Sequence, residues 1–275
     1  MRSSNVMSNS IGDSAAEIGT VEFHGQPSTH LTYNALTELG VANATTTRHC
    51  PGMSRGADGR WPDGNEAGKA LDGTGIDLHR VAFAKQVHGI AVAFASGAGA
   101  LETADIIVTT TPGLPLAIFT ADCLAVVLHD PRRRALGVAH LGWRGTVRGG
   151  ACVAVEALAA LDASPARLQA TIAPSIGPCC YEVDAAVVEP LAVAFPRSYA
   201  EWLKPGAPGK WMLDLWAANE AQLVAAGVRP ECIVNPRLCT ACRRDLFHSY
   251  RKRDYGRLVT LAAMPVAQGG PSATA

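Results

Sequence analysis

The chain has 275 residues, 48% of them hydrophobic, which is enough to bury a core without disulfide bonds. Its 24 basic and 24 acidic side chains balance, so the composition excludes the strong positive field that holds nucleic acid or an anionic membrane. We therefore expect small-molecule partners, with no nucleic acid and no membrane among them, and a monomer or weak homodimer.

The first residues, MRSSNVMSNSIGDSAAEIG, lack the apolar core of a secretory signal, so we expect a cytoplasmic protein. In a reducing compartment the eight cysteines indicate thiols, metal ligands or a nucleophile rather than disulfides. Small and polar residues predict flexible tails over residues 1–20 and 265–275, which flank a single catalytic domain over residues 21–264.

The Gly-, Asp- and Pro-rich stretch from Gly52 to Asp77 predicts an exposed loop. Short apolar runs then predict strands, in chain order VAFA, IAVAFA, DIIVTT, LAIFTA, LAVVLHD, ALGVAHL, LQATIAP, ECIVNP and RLVTLAAM. Helical patterns lie between them at Val147–Leu161, Asp184–Phe195 and Asp214–Ala226, and the last ends at Gly227, a natural C-cap. This mixture predicts an α/β or α+β sandwich whose helices cover sheets.

Three segments end in a polar residue where a strand is expected to end: His88 in KQVHG, Cys123 in TADC and His140 in GVAHLGWRG. Their spacings of 35 and 17 residues exceed those of a zinc-finger knuckle, so only the fold can bring them together. Two imidazoles and one thiolate would hold Zn²⁺ with a fourth position open, where the pKa of bound water falls to roughly 7. The alternative is that the histidines are hydrogen-bonded core residues and the cysteine a small apolar one.

Eight motifs occur in an order that closely resembles the YfiH family, also called the multicopper polyphenol oxidase or laccase-like family: KQVHG, ADIIVT, TADCLAVVL, GVAHLGWRGT, PSIGPCCYEV, KWMLDL, CTACRRDLFHSYR and YGRLVTL. The resemblance runs from about Thr45 to Ala262, and TADC and HLGWRG at this spacing are highly specific. Members of that family are purine nucleoside phosphorylases with adenosine deaminase activity.

The resemblance implies a mixed α/β (α+β) fold, a single-domain four-layer α/β/β/α sandwich of the cytotoxic necrotizing factor/YfiH-like type, with one catalytic zinc ion. It places the metal ligands on His88, Cys123 and His140, of which Cys123 and His140 are also expected to be catalytic. Arg48 in TTTRHC matches the family's threonine-threonine-arginine motif, which implies a catalytic residue that contacts substrate or phosphate.

Three further residues are candidates for binding substrate. The guanidinium of Arg144, between Gly142 and Gly145, suits phosphate or a structural ion pair. Trp143 can stack on a purine or lie buried in the sandwich. Cys180 matches the family's cysteine before its aromatic-Glu-Val sequence, which implies a place near the site.

Several polar residues have a less specific context. Asp122 can orient a histidine ligand or act as an acid or base, although strand alternation points it away from its neighbour Cys123. Five histidines lack any motif and are interpreted as surface or loop residues, namely His24, His30, His49, His79 and His129. We expect His248, in LFHSYR, near the pocket rather than on a metal.

Four cysteines fall in two pairs, Cys179 with Cys180 and Cys239 with Cys242, which is the ligand inventory of a structural zinc site. Adjacent cysteines are poor joint ligands when the backbone sends their side chains apart. We therefore favour buried thiols over a second metal, and the sequence leaves the choice open.

The expected function is a zinc-dependent purine nucleoside phosphorylase that uses inorganic phosphate and acts on adenosine, inosine, guanosine or methylthioadenosine, with adenosine deaminase activity. One alternative is copper-dependent polyphenol oxidation, since thiolate and imidazole also bind Cu²⁺. Another is a hydrolase that uses Cys123 as nucleophile and His140 as base, acting in peptidoglycan precursor editing. The segment HCPGMSRG departs from the family's turn after its arginine, which leaves the base preference open.

Overall fold

The computed structural model describes residues 20–53 and 65–266. Those residues form sixteen strands, numbered in chain order: β1 (Val21–His24), β2 (His30–Tyr33), β3 (Ala42–Thr46), β4 (Ala82–Phe83), β5 (Val92–Phe94), β6 (Gly99–Ala100), β7 (Ile106–Thr109), β8 (Leu116–Thr120), β9 (Leu124–Asp130), β10 (Ala135–Leu141), β11 (Gln169–Ile172), β12 (Glu182–Val183), β13 (Leu203–Pro205), β14 (Trp211–Leu213), β15 (Ile233–Val234) and β16 (Leu258–Ala263). The α-helices of the same residues are α1 (Asn34–Thr37), α2 (Asn65–Ala70), α3 (Trp143–Val147), α4 (Gly150–Ala159), α5 (Ala185–Ala194) and α6 (Leu215–Ala225).

The strands form a seven-stranded sheet in the order β1-β2-β3-β16-β8-β4-β6 and a six-stranded sheet in the order β15-β11-β9-β10-β7-β5. A three-stranded sheet, β12-β14-β13, is separate from both. Strands β8 and β9 follow one another in sequence but belong to different sheets, so the chain crosses between the two larger sheets at residues 121–123. This crossing carries Asp122 and Cys123.

The long central strands are buried on both faces, and alternate residues therefore enter different cores. Val126 and Leu128 of β9 pack with residues of α4 and α6, whereas Ala125 and Val127 pack with the seven-stranded sheet. A third core lies beneath the other face of the seven-stranded sheet and includes Ala67 of α2. Burial on both faces explains why these strands appear in the sequence as continuous apolar runs.

The predicted helices are present, with one interruption. Most of the pattern over Val147–Leu161 forms α4, whereas Val147 itself ends α3, and Gly149 between the two helices adopts a left-handed conformation, φ +75°. Asp184 and Asp214 cap α5 and α6 by accepting hydrogen bonds from the backbone N–H groups of Ala186 and Ala217.

Other expectations need correction. The predicted loop from Gly52 to Asp77 contains α2, whose Ala67 is buried, while residues 54–64 lie outside the described part of the chain. The tails predicted over 1–20 and 265–275 lie almost wholly outside it as well. His30 and His129 are buried rather than on the surface, because each side chain finds a partner, His24 and the Ala135 carbonyl respectively.

Among the described residues, no helix has the length and apolar character needed to cross a bilayer. The mixed α/β fold expected from the sequence is the fold observed.

Candidate metal centre

The three residues singled out by the sequence come together at one end of the two larger sheets. His88 lies in the loop after β4, Cys123 in the crossing from β8 to β9, and His140 in β10. One ligand atom from each of them lies within 4.8 Å of those of the other two. The two imidazole rings meet edge to face, with centroids 4.7 Å apart and planes inclined by 70°. Segments far apart in sequence thus form one compact donor group.

Asp105, immediately before β7, holds this group in place. Its Oδ1 accepts hydrogen bonds from His140 Nδ1 (2.8 Å) and the backbone N–H of His88 (2.9 Å). Its Oδ2 accepts from the N–H groups of Gly89 (2.7 Å) and Val87 (3.2 Å). Because a carboxylate only accepts, His140 donates from Nδ1, and its Nε2 is therefore the atom that can bind a metal once the proton on that nitrogen is lost.

Sequence analysis did not assign this role to Asp105, although the residue opens the ADIIVT motif. It offered Asp122 as a carboxylate that orients a histidine ligand or acts as an acid or base, and the first of these roles is wrong. The second stays a prediction, since Asp122 lines the cavity described below. The Asp122 carboxylate accepts from Thr240 Oγ1 (2.6 Å) and from the backbone N–H of Arg251 (2.7 Å), so it secures a neighbouring loop.

The electrostatics of the group favour charged forms. Burial opposes ionisation of the Cys123 thiol, but hydrogen bonds and positive charge from His140 and His88 outweigh it and lower its pKa to about 6. Burial likewise opposes protonation of His140, but hydrogen bonds to Asp105 and Cys123 raise its pKa to about 9. For Asp105, desolvation is outweighed by the hydrogen bonds from His140 and the loop N–H groups, so its pKa lies below its usual range.

Local backbone geometry supports the same arrangement. His88 and Asp122 have positive φ values, +61° and +84°, which non-glycine residues adopt rarely and which cluster at functional sites. Gly142 follows β10, and a Cβ there would lie 2.8 Å from Cys123 Sγ and 3.3 Å from His88 Cδ2. Only glycine leaves room for both side chains.

A cavity of about 580 Å³ opens over the group. Three arginines line it, Arg144, Arg251 and Arg257, together with the aromatic residues Trp143, Tyr181 and Tyr250. The Arg144 guanidinium carbon lies 4.5 Å from the centroid of the Trp143 ring, and that of Arg251 lies 5.2 Å from the Tyr181 ring. Stacking of this kind holds a planar cation in position against an aromatic face.

The cavity contains some predicted residues and not others. Trp143 and Arg144 line it, as expected for substrate contacts. Arg48 is outside the lining, because its guanidinium forms an ion pair with Asp254 at 3.3 Å and donates to a backbone carbonyl. Cys180 is outside it too, with its Sγ 3.4 Å from Cys242 Sγ. His248 bonds to Asp254 at 2.9 Å and is not in the wall.

Tyr181, Arg251 and Arg257 were missed by sequence analysis because they lie in irregular segments. The only signal was their place within motifs, PSIGPCCYEV for Tyr181 and the segments around FHSYR and YGRLVTL for the arginines.

The donor set suits a metal ion. Zn–N bonds of roughly 2.0–2.1 Å and Zn–S bonds of roughly 2.3 Å place tetrahedral ligand atoms about 3.3–3.8 Å apart. The present separations, within 4.8 Å, need only small side-chain movements to reach that geometry. Three protein ligands facing a cavity leave one position for water or substrate, as in catalytic rather than structural zinc sites.

The fold and the site together define a mixed α/β protein with a His-Cys-His candidate metal centre in an arginine-lined cavity. The chain belongs to the YfiH family: the family model described as multi-copper polyphenol oxidoreductase laccase matches residues 65–265. The resemblance stated from the motifs is thereby confirmed.

Relatives and solved structures agree with this assignment. Purine nucleoside phosphorylase YlmD of Geobacillus stearothermophilus is 34% identical over 240 residues, which cover 79% of this chain and 86% of that protein. Adenosine deaminase RL5, from an unknown prokaryotic organism, is 36% identical over 188 residues, which cover 65% of this chain and 72% of that protein. The crystal structure of YlmD matches with a TM-score of 0.79 at 29% identity, covering 89% of this chain and 99% of the other. The Bacillus licheniformis protein YfiH matches with a TM-score of 0.76 at 28% identity, covering 86% and 96% of the two chains.

Proposed function

We propose that this protein is a zinc-dependent purine nucleoside phosphorylase with adenosine deaminase activity, and that it accepts adenosine, inosine, guanosine and methylthioadenosine. The observation that carries the proposal is the convergence of His88, Cys123 and His140 on a cavity lined by three arginines. The names of the relatives, purine nucleoside phosphorylase and adenosine deaminase, support the same chemistry.

The residues that would hold the ion are His88, Cys123 and His140, with Asp105 fixing the ring orientation of His140. When bound, zinc supplies a Lewis acid that polarises an oxygen of substrate or water. The filled d shell of Zn²⁺ imposes no geometry of its own, so zinc accepts tetrahedral ligation by two nitrogens and one sulfur with the fourth position open. The same donors also bind copper, and the metal content of the purified protein distinguishes the two ions.

In phosphorolysis an oxygen of inorganic phosphate forms a bond to the ribose C1′, and the bond from C1′ to the purine nitrogen breaks. The electron pair of the broken bond leaves with the base, which is then protonated. Arg144, Arg251 and Arg257 would neutralise and orient the anion, because a guanidinium offers paired N–H donors to phosphate oxygens. The faces of Trp143 and Tyr250 would accept the base by stacking.

In deamination, water adds at C6 of adenine and ammonia leaves, which yields inosine from adenosine. His140 would keep a fixed tautomer through its bond to Asp105 in either reaction. Both reactions would use one base-binding cavity, and the presence or absence of phosphate would select between them.

The test is an assay of zinc-loaded protein with each nucleoside, with and without phosphate, in which chromatography separates free base, ribose 1-phosphate and deaminated nucleoside. We expect phosphate-dependent release of hypoxanthine from inosine, and its loss in His140→Gln. His129→Gln is the matched control, since His129 is equally buried but bonds to the Ala135 carbonyl instead of the metal group. Failure of the zinc-loaded wild type to release base from any of the four nucleosides would refute the proposal.

A second candidate is a hydrolase that uses Cys123 as a nucleophile, and the lowered pKa of this thiol favours it in metal-free protein. Zinc separates the two functions. Under the phosphorylase proposal, added zinc protects Cys123 from iodoacetamide and raises activity, whereas a thiol hydrolase loses activity when zinc binds.

Copper chemistry of the multicopper kind requires several histidine-rich sites. Across residues 20–53 and 65–266, two groups of at least three candidate ligands occur, one with two histidines and one made of cysteines alone. One histidine-containing group supports a single catalytic ion rather than a multicopper site. Oxidation of a phenol by a copper-loaded sample would instead favour the copper-dependent alternative.

We also infer a single domain whose layers run α/β/β/α. The support is the order of the three cores: helices α4 and α6 against one sheet, sheet against sheet, and α2 against the far face of the second sheet.

A further inference from the structure

Four cysteines form a second cluster away from the cavity wall. The Sγ atoms of Cys179 and Cys180 each lie 3.4 Å from Cys242 Sγ. All four Sγ atoms, including that of Cys239, lie within 4.8 Å of one another, and all four residues are free thiols. A disulfide has its sulfurs about 2.05 Å apart, whereas four sulfurs about 2.3 Å from one zinc ion are separated by about 3.8 Å. The observed distances suit the edges of a tetrahedron around a metal.

The loop after β11 explains how two adjacent cysteines can point to one place. The Gly177 carbonyl accepts hydrogen bonds from the N–H groups of Cys180 (3.0 Å) and Tyr181 (3.1 Å), which closes a tight turn. The objection that adjacent side chains diverge applies to an extended strand, and this segment is not one. The prediction that the adjacent pair are buried thiols is wrong for Cys179, whose side chain reaches the surface.

The second pair is held against this turn by backbone contacts. Ser175 and Cys239 form an isolated parallel bridge, and the N–H of Thr240 donates to the Ser175 carbonyl at 3.1 Å. The N–H of Gly177 points at Cys239 Sγ from 3.3 Å. An N–H directed at sulfur is the type of contact that supports a metal-bound thiolate. The backbone therefore brings the two pairs together before any ion binds.

We propose that Cys179, Cys180, Cys239 and Cys242 bind a second zinc ion with a structural role. Four sulfur ligands complete a tetrahedron and leave no vacant position, which is the arrangement of structural rather than catalytic zinc. Soft thiolate donors select zinc over magnesium, calcium or manganese.

The ion would tie together two segments that border the cavity. The 175–181 turn carries Tyr181, and the segment after Cys242 carries Arg251, both in the cavity wall. Thr240, between the two CTAC cysteines, also donates to Asp122 beside the His-Cys-His group. A metal cross-link between Cys179–Cys180 and Cys239–Cys242 would restrict the movement of both segments at once.

The test is the zinc content per chain of protein purified without added metal, measured by elemental analysis and by native mass spectrometry. The expected wild-type value is two ions if the His-Cys-His group is also filled. The paired substitution Cys239→Ser with Cys242→Ser should lower the count by one. The single substitution Cys232→Ser is the matched control, since Cys232 is a partly buried cysteine outside the cluster, and it should change nothing.

A variant that leaves the cluster intact covers the case in which the cysteine variant fails to fold. His88→Ala with His140→Ala removes two of the three donors of the other group and both of its nitrogen ligands, so the ion that remains should show sulfur ligands alone, at about 2.3 Å, by X-ray absorption. The proposal is overturned if this variant contains no zinc. It is also overturned if native mass spectrometry shows that the four cysteines form disulfides, each of which lowers the mass of the chain by two hydrogen atoms. Purine release tests the catalytic proposal independently of both results.

Discussion

Replacing Asp105 by asparagine tests the electrostatic account of the metal centre. Each carboxylate oxygen accepts two N–H donors: Oδ1 those of His140 and His88, and Oδ2 those of Val87 and Gly89. In either orientation, an amide NH₂ would face two donors that then lose their acceptor. An unsatisfied buried donor costs roughly 1–3 kcal/mol, so Asp105→Asn should lower the free energy of unfolding by about 2–6 kcal/mol.

The same substitution should weaken zinc binding by about 10–100-fold, or roughly 1.4–2.8 kcal/mol, because His140 loses its orienting carboxylate. The measurements are urea unfolding of metal-free protein and a zinc competition titration against a chelator. Asp130→Asn is the matched control: Asp130 is also fully buried and accepts N–H groups, but it lies at the far end of β9. It should destabilise the fold and leave zinc affinity unchanged. Wild-type zinc affinity in Asp105→Asn would show that the carboxylate does not orient the ligand.

Three further outcomes follow from the same contacts. Gly142→Ala should lower zinc affinity at least tenfold in a chelator competition, because its Cβ would lie 2.8 Å from Cys123 Sγ. Burial raises the pKa of Asp130, but its bonds to Arg167 and to backbone N–H groups outweigh this and hold it below its usual range. The ionised Asp130 carboxylate therefore stabilises the fold above about pH 4, and this stabilisation is lost as pH falls through its folded-state pKa. The difference in urea midpoint between wild type and Asp130→Asn should accordingly shrink on acidification. Arg257→Gln should raise KM for phosphate about tenfold with little change in KM for inosine, since a charge-assisted hydrogen bond contributes about 1.5–3 kcal/mol.

Gly142→Ala and Arg257→Gln each have a matched control in the chain. Gly68→Ala, in α2, adds a Cβ that meets nothing within 4 Å, so zinc affinity should not change. Arg229→Gln removes a guanidinium whose partner, Glu231, is at the surface, so phosphate KM should stay at the wild-type value. An equal effect in the control and in the test variant would contradict the assigned contact.

The central strands were predictable because burial on both faces leaves a plain signal. The runs LAVVLHD and ALGVAHL match β9 and β10 residue for residue. Strands β1 to β3 were missed, since segments such as VEFH and HLTY are short and carry polar residues. Strand β3 pairs with β16, far along the chain, and β2 and then β1 extend the sheet from β3, so long-range pairing decides their structure.

The candidate site divides in a similar way. His88, Cys123 and His140 were identified because imidazole and thiol groups are rare and stood at strand ends. Asp105 was missed because an aspartate before a strand is common, and its role arises from a partner 35 residues away. The convergence of the four cysteines was not predicted because a turn, which the sequence does not specify on its own, directs two neighbouring thiols the same way.

The crossing at residues 121–123 has a mechanical consequence. His88 follows a strand of the seven-stranded sheet, His140 belongs to the six-stranded sheet, and Cys123 lies where the chain passes between them. An ion bound by these three side chains would cross-link the two sheets. Sliding of one sheet over the other would then have to stretch the metal–ligand bonds. Occupancy of the centre would then add to the resistance of the two larger sheets to relative sliding as well as supply the chemistry.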